Sequence, residues 1–112
     1  MLKIEVCYHG SSIKGFIVKG HADYAPEGQD IVCAGVSAIT QTALIGLLKH
    51  LNDKPTYKID KGNLEVFLAD NTSDDDFDKA QIILSTMLAG LQSLQESYGE
   101  YVEVEIRRCK NV

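Results

Sequence analysis

The chain has 112 residues and a net charge of −5, from 16 acidic and 11 basic side chains. Hydrophobic residues make up 45% and charged residues 24%, which excludes a disordered chain and fits one domain, residues 1–112, with its own core. The acidic balance argues against direct nucleic-acid binding, which needs a basic face, and suits a basic partner better.

The N-terminus, "MLKIEVCYHG", alternates apolar and polar residues and predicts a strand over Leu2–Tyr8, with Leu2, Ile4, Val6 and Tyr8 on one face. A signal peptide would carry a continuous apolar stretch there instead. "HGSS" supplies turn residues, and a second strand is expected over Ile13–Lys19, paired with the first as a hairpin. Ala22–Asp30 reads as a loop with Pro26 and Gly28. At nine residues it is longer than most connections, and such loops often carry function.

A first helix is expected over Ile31–Leu51. Ala34, Gly35, Ser37, Ala38 and Ala43 make one side small, while Val36, Ile39, Leu44, Leu47, Leu48 and Leu51 make the other large. Ser37, Thr40, Gln41 and Thr42 interrupt the run, so it reads as a buried helix and not a membrane span. Almost no charge precedes Lys49. That predicts burial over most of the helix, against a sheet and against a second copy of the chain, so a homodimer is expected.

A second hairpin follows: Thr56–Asp60, "KG" at the turn, and Asn63–Ala69. A second helix is expected over Asp74–Tyr98, with Ser73 as N-cap and Phe77, Leu84, Met87, Leu88, Leu91 and Leu94 on its apolar face. The acidic run "NTSDDDFD" suits a helix N-terminus, where negative charge is stabilising; a basic peptide steered by it is the alternative. Tyr101–Arg108 alternates as a last strand. The order β-β-α-β-β-α-β predicts an α+β fold of two layers: a mixed, mostly antiparallel sheet with two helices on one face. Cysteines stand at 7, 33 and 109. An odd count without framework spacing points to a reducing compartment and a cytoplasmic chain.

Chemistry concentrates in "GHADYAPEGQDIVCAGVS", Gly20 to Ser37. Cys33 falls in the first turn of the first helix, where unpaired N–H groups and the helix dipole favour an anion, and the thiolate is the nucleophilic form of cysteine. The plain alternative is a small buried residue, since free cysteine is among the most buried types. His21, read at the end of the second strand, can be returned to the helix start by the loop and meet the sulfur as its base. Its plain alternative is a bond to a backbone carbonyl. Asp30 either caps the helix or orients the imidazole. Ser37, one turn beyond Cys33, either supports the site or permits close packing. His21, Asp30 and Cys33, with His9 or His50, could offer zinc ligands, but no metal-ligand spacing supports a metal site. Cys7 and Cys109 read as structural thiols on the first and last strands.

The same residues carry a resemblance. "GHADY" followed by "GQDIVCAGVS", with the N-terminal hairpin and the two later helices, resembles the ribosomal-processing cysteine protease Prp family over essentially the whole chain. The resemblance implies a cysteine endopeptidase without a cofactor. Its Cys33 would be the nucleophile and His21 the base, with Gly20, Asp30 and Ser37 as supporting positions. Its substrate would be the N-terminal extension of bacterial large-subunit ribosomal protein twenty-seven, cut after a pair of aromatic residues. It also implies a homodimer with a mobile loop at the site, here Ala22–Gln29 with Ala22, Asp23, Tyr24 and a Gly28 hinge, closing over the peptide. The amides around Cys33 would then hold the oxyanion. Two rivals stand beside this reading: a non-enzymatic ribosome-associated binding module, whose buried cysteine would resist alkylation, and a thiol enzyme of another reaction class.

Overall fold

The computed structural model describes residues 1–109. Its elements are β1 (Leu2–His9), β2 (Ser12–Lys19), α1 (Ile31–His50), β3 (Thr56–Asp60), β4 (Asn63–Phe67), α2 (Asp74–Tyr98) and β5 (Val102–Arg108). The strands form one sheet in the order β3-β4-β2-β1-β5. β1 and β5 run parallel and the other pairs antiparallel, so the expected mixed, mostly antiparallel α+β fold is what forms.

The period-two pattern explains the sheet. Ile4 pairs with Val18 and Val6 with Phe16, and these side chains join Leu64, Val66 and Val102 in the core beneath the helices. The opposite face of β1 is also covered. Glu5 is buried there between Lys19 Nζ, 2.8 Å from one carboxylate oxygen, and an Arg107 guanidinium nitrogen, 3.0 Å from the other. Lys19 first and Arg107 second hold the Glu5 carboxyl below its usual range, against the upward push of burial.

Both helices start and stop where their caps dictate. Ser73 Oγ accepts the Asp76 N–H at 3.2 Å, and Asp74, Asp75 and Asp76 fill the first turn of α2, so local structure uses the acidic run. Asp76 is buried, and its Oδ2 accepts the amides of Asn52 and Asp53 at 2.8 and 2.7 Å, which ties the α1–β3 connection to the start of α2. At the same, C-terminal end of α1, Lys54 Nζ donates to the carbonyls of Leu48 and Leu51.

Some expectations shift. Leu51 is the C-cap of α1 and not its last residue, β4 stops at Phe67, and β5 starts at Val102. α1 is also less covered than its composition suggests. Val32, Val36, Thr40, Ala43, Leu44 and Leu47 are buried, but Ile31 and Ile45 are 57% and 62% exposed. One chain has too few elements to wrap a helix that is apolar nearly all round.

Candidate active site

The site forms where β2 ends and α1 begins. β2 stops at Lys19, so His21 lies two residues past the strand, not at its end. The intervening Gly20 has φ +91°, and a Cβ there would stand 2.7 Å from the Met1 carbonyl oxygen, so both the bend and the close approach require glycine. Gly20 therefore has a full structural explanation.

Asp30 is the N-cap of α1. Its Oδ1 accepts the Val32 and Cys33 amides, each at 3.0 Å, and its carbonyl accepts the Ala34 amide at 3.1 Å. Its Oδ2 turns the other way and accepts the amides of Tyr24 at 3.0 Å and Ala25 at 3.4 Å. Partial burial pushes the Asp30 carboxyl up, but the amides of Cys33, Tyr24 and Ala25 outweigh it and hold it below the usual aspartate range. Of the two sequence readings of Asp30, capping is the one the hydrogen bonds display. The amides of Cys33 and its neighbours are thereby committed to Asp30 and are not free donors for an oxyanion.

Cys33 is half-buried in the first turn, and its Sγ accepts the N–H of buried Ala22 at 3.3 Å. The loop is fixed at further points. The Tyr24 ring meets Tyr98 and Tyr101 edge-on, with centroids 5.8 and 5.1 Å away. Asp23 takes a left-handed φ of 57°, and the outer turn closes with the Gln29 amide on the Pro26 carbonyl, with Gly28 at φ +87°. Ala22–Ala25 are thus tied down, and Pro26–Gln29 form the projecting part.

His21 is exposed and shares two cavities with Cys33. The first, about 300 Å³, has an apolar floor of Leu2, Val18, Val36 and Leu64, with Ser37 and Thr40 on the α1 side and Ile59 and Gly62 on the hairpin side. The second, about 540 Å³, is bordered by Asp23, Glu27, Asp30 and Lys61. Among the described residues no hydrogen bond joins His21 to Sγ. Such bonds often tighten only with substrate in place. The ring instead faces the β3–β4 turn: a Cβ on Gly62 would stand 3.3 Å from both Cε1 and Nε2. In the sequence "KG" reads only as a turn, and nothing in its spacing signals this neighbour.

The remaining sulfurs are built differently. Cys7 is buried, and that burial, with Cys109 beside it, pushes its thiol up to about 12, so it stays neutral and unreactive near neutral pH. No three His, Cys, Asp or Glu side chains among the described residues are grouped to hold a metal ion.

Comparison with known proteins follows the same residues. The family described as "Cysteine protease Prp" matches residues 1–103. The chain is 37% identical over 94 residues to the ribosomal processing cysteine protease Prp of Staphylococcus aureus, covering 81% of this chain and 84% of that one. It is 29% identical over 98 residues to the Bacillus subtilis protein of that name, covering 86% and 88%. The crystal structure of the S. aureus protease with a covalently linked product peptide superposes with a TM-score of 0.83 at 29% identity, over 95% of this chain and 99% of that one. A cysteine in a helix's first turn, a histidine on the same cavities and this match over nearly the full length agree: the chain belongs to the Prp family of cysteine proteases.

Proposed function

We propose that this protease removes the short N-terminal extension of bacterial large-subunit ribosomal protein twenty-seven, with Cys33 as nucleophile and His21 as its acid–base partner. The observation that carries the reading is that Cys33, its Sγ held by the Ala22 amide at 3.3 Å, and His21 line the same cavity beside apolar Leu2, Val18, Val36 and Leu64. The S. aureus relative, solved with a substrate peptide and with a linked product peptide, supports a peptide as the partner.

The chemistry proceeds in two halves. His21 takes the thiol proton, Sγ attacks the scissile carbonyl, and the resulting C–S bond replaces the C–N bond as His21 protonates the leaving amine. Water, deprotonated by His21, then hydrolyses the thioester and returns the thiol. We assign an aromatic side chain before the scissile bond to the 300 Å³ cavity, where Leu2, Val18, Val36 and Leu64 offer apolar contact and Asp60 is the charged lining residue, against Asp23, Glu27, Asp30 and Lys61 in the second. Gly20, Asp30 and Ser37 support the site: bend, cap and cavity wall. Ala22, Asp23, Tyr24 and Gly28 belong to the loop that borders the bound peptide.

The whole chain serves as one catalytic domain, working in the cytoplasm as a homodimer. Three free cysteines suit a reducing compartment. Exposed Ile82 lines an apolar groove of about 640 Å³ between α1 and α2, which suits a second copy. Mass spectrometry of the extended ribosomal protein after incubation with this chain tests the activity. Loss of the N-terminal segment is expected, and an intact substrate refutes the reading.

A further inference from the structure

We propose that Gly62, in the β3–β4 turn, is a positioning residue for His21: it is the wall against which the imidazole rests. The inference rests on the assignment of His21 and Cys33 as the catalytic pair. His21 follows a glycine bend, lies outside any strand and is exposed, so its own backbone does not fix the ring. The ring is met from the opposite side by the hairpin turn. A Cβ at Gly62 would stand 3.3 Å from Cε1 and from Nε2, tighter than ordinary van der Waals contact, so a side chain there would push the ring aside by a few tenths of an ångström. The turn belongs to both cavities: Gly62 lines the first and Lys61 the second, and His21 and Cys33 line both. The hairpin is thus the jaw opposite the Ala22–Asp30 loop, and the base sits between them.

Turn geometry alone also asks for glycine here, since φ is +80°. Gly10, in the β1–β2 turn, separates the two roles. It has φ +63° and no atom within 4 Å of a built Cβ. Asparagine tolerates left-handed φ, so Gly62→Asn and Gly10→Asn both keep their turns, but only the first intrudes on the imidazole.

The test uses the full chain and two readouts: iodoacetamide alkylation of Cys33 between pH 5.5 and 8.5, and cleavage of an aromatic-containing peptide. Misplacing a catalytic group by about 1 Å costs about a hundredfold. The shift asked of the ring here is a few tenths of an ångström, so Gly62→Asn should lower kcat by about three- to tenfold. It should also move the alkylation pH profile toward that of His21→Ala, with the circular dichroism spectrum unchanged. Gly10→Asn should match the parent chain in both. A parent-like profile for Gly62→Asn, or equal losses in the two asparagine variants, overturns the proposal. An unchanged profile in His21→Ala overturns the His21–Cys33 pairing itself, and this inference with it.

Discussion

Replacing the aromatic residue just before the scissile bond by alanine should slow cleavage by an amount the first cavity sets. That cavity holds about 300 Å³ beside Leu2, Val18, Val36 and Leu64, each at most 9% exposed, so a ring entering it gains apolar contact on one side, and full burial sets the upper bound of the gain. Full burial of a large apolar side chain is worth about 1.5–3 kcal/mol. Each 1.4 kcal/mol or so is a factor of about ten, so kcat/KM should fall by up to about ten- to a hundredfold. The ring is buried equally in ground and transition states, so most of the loss should lie in KM. A matched pair of fluorogenic peptides measures it. Ser37→Leu supplies the protein-side control. Ser37 is exposed on α1 at the cavity wall, and leucine suits a helix, so this variant should fill the cavity and slow the aromatic peptide while sparing the alanine peptide. Equal cleavage of the two peptides, or equal slowing of both by Ser37→Leu, would refute an aromatic-reading cavity there.

Cys33→Ala should abolish cleavage above a no-enzyme control and Cys33→Ser should nearly do so, while Cys7→Ala and Cys109→Ala should stay active in the same peptide assay; the reverse pattern would move the nucleophile. Asp30→Asn should destabilise the chain near neutral pH, because an amide nitrogen cannot accept the second pair of backbone amides. The Asp30 carboxyl is held below its unfolded value, so its stabilisation is present above the unfolded range and lost as pH falls through the folded value; the gap in urea midpoint between parent and variant should close on acidification. Leu47→Ala, at a fully buried site, should cost about 2–5 kcal/mol in urea unfolding without changing the alkylation profile of Cys33. Sedimentation at micromolar concentration should show a dimer, and a lone 12.3 kDa species would reject one.

Periodicity made the sheet and both helices legible, because β1, β2 and α2 each present one apolar face to a common core. It was less informative for α1, whose apolar residues run round the helix; composition cannot say which of them the chain itself covers. Cys33 was legible because a helix start is a local feature, set by Asp30 three residues earlier. The surroundings of His21 were not. They depend on Gly62, which lies 41 positions further on (62 − 21) and reaches the ring only because β4 pairs with β2. Nor could spacing reveal that Asp30 uses both oxygens on backbone amides, which requires the loop to fold back over the cap.

That double use of Asp30 separates two tasks that a nucleophile–base–acid series would combine. Oδ1 fixes the Val32 and Cys33 amides and so sets where the sulfur stands; Oδ2 fixes Tyr24 and Ala25 and so sets where the loop leaves the site. With both oxygens occupied, Asp30 orders Cys33 and the loop together, and any outward swing of Tyr24 must break hydrogen bonds to the residue that caps α1. Tyr24 is further held by Tyr98 and Tyr101, so such a swing also gives up two aromatic contacts. Motion at the site is therefore cheapest in Pro26–Gln29, where a turn bond and a glycine at positive φ are the local constraints. His21, by contrast, is bordered by a different element, the β3–β4 turn, which shares no hydrogen bond with Asp30 among the described residues. Cys33 Sγ is held from the loop side of the cleft and the His21 imidazole faces the hairpin side, so, on the proposed roles, a peptide that enters between them can draw the pair together without undoing the cap.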